Sequence, residues 1–240
     1  MNTKNRYPWA IEVSPYLRDH HFDGKVILPA VETLIALARV VKLHFPQMRI
    51  DYLLKASFPH FLSIAPETER LDVFVDVENA GHDPMTPMTA VLLTSIKAKS
   101  SAIRRTLEHA RVEFAMDDPA RFPAPPFRVV EKLEGECIRV PAATIYRELV
   151  PFGTSYQNIL GDLAVSSEGA LAYLSGGTCE ADEDWLGSPF PLDAAGLETV
   201  DLPNRDSDAL PTRSPPRICG WRLGRAVDRP WLVLAGAHTA

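Results

Sequence analysis

Between Pro29 and Phe45 the apolar residues fall at Val31, Leu34, Ile35, Leu37, Ala38, Val41 and Phe45, with Glu32, Arg39 and Lys42 as polar exceptions. That spacing covers most of a helix's circumference and predicts a helix buried on more than one side. Pro29 suits the first helical position, where its fixed φ fits and its missing N–H costs nothing. Pro46 ends the segment. Before it, residues 9–13 read as a short strand closed by the Ser14-Pro15 turn. After it the period changes from 3.6 to 2. Leu71, Val73, Val75 and Val77 alternate with Asp72, Phe74, Asp76 and Glu78, and Thr106, Glu108, Ala110, Val112 and Phe114 occupy alternate positions farther on. Strands are predicted over 50–64, 71–77, 90–97 and 103–116. One buried helix followed by long antiparallel strands describes a sheet wrapped around a helix.

Residues 117–127 are proline-rich and stiff, as a linker is. Beyond them the pattern partly repeats. A strand is expected over 137–140, a short helix over 142–150, a hairpin from 159–165 and 170–175, and a second helix over 185–198 that contains Asp193. From 202 to 218 the chain is rich in Pro, Arg, Asp and Ser with almost no apolar period, and only 221–227 and 231–235 read as strands. The expected organisation is an N-terminal unit over 1–118, a linker over 119–128 and a C-terminal unit over 129–240 that is atypical after about residue 200.

Composition narrows the function. The 240 residues are 46% hydrophobic and 23% charged, as in an ordinary globular protein. A net charge of −6 speaks against nucleic acid as the main partner, which would need a basic surface. Cys137, Cys179 and Cys219 are odd in number and lack metal-ligand spacing, so they read as thiols in a reducing compartment. His44, His60, His82 and His109 show no metal pattern either. There is no apolar leader or membrane-length run. A cytoplasmic protein without a membrane partner is the expectation.

The candidate chemistry sits just before the first helix, in His20-His21-Phe22-Asp23-Gly24-Lys25-Val26-Ile27-Leu28-Pro29. A base beside a helix start, with its free N–H groups, can take a proton next to a carbonyl and stabilise the oxygen that gains charge. His21 would point the opposite way in an extended segment and reads as structural.

His20-x-x-x-Gly24-x-x-x-x-Pro29 resembles the HxxxGxxxxP motif of polyketide synthase dehydratase domains. A second family motif, YGPxF, is echoed by Phe152-Gly153-Thr154-Ser155-Tyr156. A third, an aspartate followed four residues later by Gln or His, is echoed at Asp193 with Leu197 in the amide or imidazole position. Thr154 also stands where the family has Pro, and Phe152 where it has Tyr. The resemblance implies an α+β double hot dog, two antiparallel sheets each wrapped around a buried helix, with the second possibly incomplete. It implies a dehydratase that eliminates water from a β-hydroxyacyl thioester in polyketide or fatty-acid-type biosynthesis. His20 would be the base and Asp193 the acid, while Gly24, Pro29, Phe152, Gly153 and Tyr156 would contact substrate. No cofactor is implied beyond the phosphopantetheine that carries the substrate. The implied partners are an acyl carrier protein and other synthase components, and a homodimer is compatible with the resemblance. The basic cluster Lys97, Lys99, Arg104 and Arg105 could meet an acidic carrier protein, or be only a solvated hairpin tip.

Two alternatives remain open from the residues. One is a non-catalytic double hot dog serving as a scaffold or binding subunit of a synthase. The other is thioester hydrolysis or a product-template-like reaction on the same fold; hydrolysis more often uses a carboxylate near the helix start, for which Glu32 is the only nearby candidate.

Overall fold

The computed structural model describes residues 3–46, 48, 50, 52–79, 87–97, 104–114, 133, 135–166, 169–175, 190, 193, 217–222 and 231–232. The first unit is built from β1 (Thr3–Glu12), the short hairpin β2 (His21–Phe22) and β3 (Lys25–Val26), helix α1 (Ala30–His44), and strands β4 (Tyr52–Ser57), β5 (Arg70–Asn79), β6 (Met88–Lys97) and β7 (Arg104–Phe114). Beyond residue 132, β8 (Ile138–Pro141) leads into a helical stretch comprising α2 (Ala142–Thr144) and a π turn (Ile145–Leu149). A 3-10 turn (Thr154–Tyr156) and strands β9 (Ile159–Ser166) and β10 (Gly169–Leu174) follow, then β11 (Arg217–Arg222) and β12 (Trp231–Leu232).

The larger sheet is antiparallel throughout, in the order β1-β5-β6-β7-β4-β11, and the smaller is β12-β10-β9-β8. Period-2 patterning turns Val73, Val75 and Val77 of β5, Met88, Ala90 and Leu92 of β6, and Ala110, Val112 and Phe114 of β7 toward α1. The helix answers with Leu34, Leu37, Ala38, Val40 and Val41, all essentially inaccessible. Each large side chain so buried stabilises the unit by about 1.5–3 kcal/mol. This is the sheet wrapped around a helix expected from the pattern, and the hot dog that the resemblance implies; α1 is buried on most of its surface for that reason. A second core joins Ile145, Tyr146, Phe152, Tyr156, Ile159, Ala172, Leu174 and Phe190.

Several expectations shift in detail. The first strand begins at Thr3, because its ladder runs along the whole of β5 from Thr3↔Asn79 to Glu12↔Arg70. On that edge the alternation is broken by Asp76, whose side chain is buried under Arg6 and Lys4, with Arg6 Nε donating to Asp76 Oδ1 at 2.6 Å. Pro29 is the cap residue and not the first helical one: its ψ of 148° is extended, and Thr33 N–H donates to its carbonyl at 3.1 Å. The strand expected over 50–64 is regular only over Tyr52–Ser57, since the Phe58-Pro59 step removes a ladder donor; an isolated bridge at Ser63 resumes the pairing, with Ile27. Among the histidines without a metal pattern, His44 stacks on Tyr7 with centroids 3.7 Å apart, and His109 Nε2 lies 2.8 Å from Thr94 Oγ1. Of the strand expected over 221–227, Trp221 and Arg222 are described and end a strand, Arg217–Arg222, that pairs with β4 of the larger sheet; the rest lies outside the described residues. Of the helix expected over 185–198, residues 190 and 193 are described, both helical; the rest, with the linker over 117–127, lies outside the described residues. No described helix is long and apolar enough to cross a membrane.

Candidate active site

His20 leaves the 3-10 turn Pro15–Asp19 with extended backbone and enters the β2–β3 hairpin. The hairpin closes through Asp23-Gly24, whose φ values of 50° and 71° are both positive, as a two-residue turn between twisted strands demands. Gly24 is required by that geometry. It is exposed, and a Cβ there would meet nothing within 4 Å. The hairpin folds Ile27 back onto His20: Ile27 N–H donates to the His20 carbonyl at 3.1 Å, and His20 Nδ1 lies 3.1 Å from the Ile27 carbonyl. A carbonyl only accepts, so Nδ1 carries the proton and Nε2 is left bare.

Nε2 faces Asp193 Oδ1 across 3.8 Å, and the two side chains are 10% and 9% exposed. Phe152 and Tyr156, from the second unit, cover the imidazole at centroid distances of 4.4 and 5.1 Å, and Phe190 closes edge-on against Tyr156 at 5.3 Å. In this apolar setting each group resists its charged form. Burial pushes the His20 imidazole down to about 4. Burial, with the Glu32 carboxylate nearby, pushes Asp193 up to about 7. The contact is therefore no ion pair at neutral pH. It is a neutral base opposite an acid that still holds its proton in about half of the molecules at pH 7.

The two units are clamped beside this pair. Gly153 N–H donates to the Asp19 carbonyl at 2.7 Å, and the Asp19 carboxylate accepts from Ser155 N–H at 3.0 Å and Ser155 Oγ at 2.6 Å. These bonds hold the Asp19 carboxyl below its usual range. A Cβ on Gly153 would overlap that carboxyl, so the close approach needs glycine. Tyr146 also borders the site: its hydroxyl accepts from Ile159 N–H at 2.8 Å, and burial, with a smaller effect of the Asp193 charge, raises its pKa.

The structure thus brings His20, Asp193, Phe152 and Tyr156 into one site, with Gly153 in the adjoining clamp. Pro29 is buried at the start of α1, and Gly24 stands apart at the hairpin tip. Lys97 and Arg104 pair in register at the end of the β6–β7 hairpin, Arg105 is exposed, and Lys99 lies outside the described residues. Asp19, Tyr16 and Tyr146 escape the sequence reading. Asp19 and Tyr146 act through partners 136 and 13 residues away, and no local pattern encodes such pairings. Among the described residues no three His, Cys, Asp or Glu side chains are grouped to hold a metal.

No family model and no curated protein matches the sequence. Solved structures do match the fold. The dehydratase domain from the CurF module of curacin polyketide synthase superposes with a TM-score of 0.65 at 20% identity, covering 99% of this chain and 84% of that one. A trans-AT polyketide synthase dehydratase domain from Brevibacillus brevis gives 0.61 at 16% identity over 97% of this chain and 93% of its own. The pyran synthase domain from module nine of the sorangicin pathway gives 0.59 at 21% identity, with 82% and 67% covered. The chain has the hot-dog fold of polyketide synthase dehydratase domains.

Proposed function

We propose that this protein is a β-hydroxyacyl-thioester dehydratase acting on an acyl chain carried by the phosphopantetheine of an acyl carrier protein. The observation that supports the reading most is the opposition of a bare, neutral His20 Nε2 to a buried Asp193 carboxyl at 3.8 Å. Elimination of water needs those two groups in those two protonation states. Nε2 takes the α-proton, the C–H electron pair becomes the Cα–Cβ double bond, and the C–O bond at Cβ breaks as Asp193 gives its proton to the departing hydroxyl. The enoyl thioester and water leave an imidazolium and a carboxylate side by side.

Each developing charge helps the other. An imidazole pushed down to about 4 is a weak base by itself, but the anion that forms on Asp193 in the same step stabilises the cation on His20 in a site with little water. In the reactive protonation state of the free site both are neutral, so this attraction is gained on the way to the transition state. The Nδ1–H bond to the Ile27 carbonyl keeps the ring in the orientation that presents Nε2. Phe152 and Tyr156 wall the acyl chain. The thioester oxygen, acidifying the α-carbon as it gains charge, is stabilised by the free N–H groups in the first turn of α1 behind Pro29.

The test is an absorbance assay for the enoyl thioester formed from a 3-hydroxyacyl pantetheine substrate. Wild-type protein is expected to form it. His20→Ala should lose about 10²- to 10⁴-fold in rate while keeping its fold by circular dichroism. Undiminished dehydration by that variant would refute the assignment.

A further inference from the structure

Glu32 sits in the first turn of α1, three residues after Pro29, and its side chain points back under the 3-10 turn that precedes His20. There Tyr16 Oη donates a hydrogen bond to Glu32 Oε1 at 2.8 Å. The Tyr16 ring meets Phe190 edge-on at 5.5 Å and Tyr156 at 6.2 Å. Phe190 and Asp193 are both helical and three residues apart, a spacing that puts their side chains on one face. Tyr16 and Glu32 therefore form a polar pair against the wall from which Asp193 reaches His20.

The position is informative because the residue four after Asp193, an amide or imidazole in the dehydratase motif, is Leu197 here. We propose that Glu32, held by Tyr16, is a positioning residue for Asp193, its carboxylate opposing ionisation of the acid and so keeping the proton on the group that faces the substrate hydroxyl. The inference rests on the dehydratase reading for its purpose, though the coupling between the two carboxyls can be measured without substrate. Glu32 lies close enough to raise the Asp193 pKa by its charge, after the larger effect of burial. Its own pKa is raised by burial and opposed by the Tyr16 bond and the Arg39 charge, both of which favour the ionised form. The other ionisable groups around this corner are His20, neutral, and the phenols Tyr146 and Tyr156.

The experiment compares wild type with Glu32→Gln, which keeps the shape and a hydrogen-bond acceptor for Tyr16 but removes the charge. Two readouts are taken: the Asp193 carboxyl titration by carbon NMR on the substrate-free protein, and the pH profile of kcat for a 3-hydroxyacyl pantetheine. Loss of a like charge lowers a carboxyl pKa, so the Asp193 midpoint and the alkaline limb of kcat should both move down by about one pH unit. At pH 8 that leaves kcat up to about tenfold lower, with KM unchanged. Should Glu32→Gln not fold, Tyr16→Phe carries the same test, since without the donor the ionised form of Glu32 is less favoured and its charge on Asp193 weakens. A shifted midpoint in a protein that dehydrates nothing would uphold the coupling while refuting the dehydratase reading. Active protein whose midpoint and alkaline limb both stay in place would overturn the proposal and leave Tyr16–Glu32 a structural bond.

Discussion

An unperturbed imidazole and an unperturbed carboxyl would face each other at pH 6 as an ion pair; in this protein, burial drives both groups to neutrality, and the consequence is visible in stability. Between about 4 and 6.5 the unfolded chain protonates His20 and the folded chain does not, so the histidine's contribution to stability grows as pH rises through that window. Asp193 works in the opposite sense. Between 3.8 and about 7 the folded chain holds a proton that the unfolded chain releases, so its contribution falls as pH rises. The two slopes oppose each other over most of their range. Asp193→Asn removes one of them, and the variant should lose on the order of 3 kcal/mol more than wild type when the pH is lowered from 6.5 to 4. Urea unfolding at the two pH values measures this. Equal losses in both proteins would show that Asp193 is not held protonated in the folded chain.

At the scale of elements, the site is assembled by a hairpin, a helix start and a clamp. The hairpin sets the tautomer of His20, and α1 supplies the buried surface against which it sits. The clamp from Asp19 to Ser155 and Gly153 brings Phe152 over the imidazole. Asp19→Ala deletes a carboxylate that accepts two hydrogen bonds and should cost about 1–3 kcal/mol. Its second effect is more diagnostic: with Phe152 less firmly placed, water reaches the ring, and the His20 titration midpoint should rise from about 4 toward 6.5. Histidine NMR titration of Asp19→Ala checks it, and an unmoved midpoint would contradict the clamp's role.

What the sequence made legible follows the range of the interactions. The burial of α1 and the alternation of Val73, Val75 and Val77 are local periodicities, and they appear in the structure where the pattern put them. His20, Gly24 and Pro29 were legible as a spaced motif, though the reason Gly24 must be glycine is a positive φ at an exposed turn. Asp76 reads as one more solvent-facing residue of an alternating strand; its burial comes from Arg6 and Lys4 on β1, a neighbour that register alone reveals. Asp19 is hidden for the same reason, since its partners lie 136 residues away.

At the scale of the whole molecule, catalysis in this account requires both units, because the base comes from one and the acid and the ring cover from the other. Under the proposed function a carrier protein approaches without parting them. We propose that the basic cluster of Lys97, Lys99, Arg104 and Arg105, on an otherwise acidic chain, is where an acidic carrier protein docks. Reversing those charges should raise KM for a carrier-borne substrate severalfold and leave a short pantetheine thioester unaffected; steady-state kinetics with both substrates distinguishes this from a general defect. The central claim, that His20 and Asp193 together remove water, is tested most directly by mass spectrometry of a 3-hydroxyacyl pantetheine thioester incubated with wild type, His20→Ala and Asp193→Asn. The account predicts that wild type converts it to a species lighter by one water and that neither variant does. Unchanged substrate with wild type, or a free acid in place of the enoyl thioester, would contradict it.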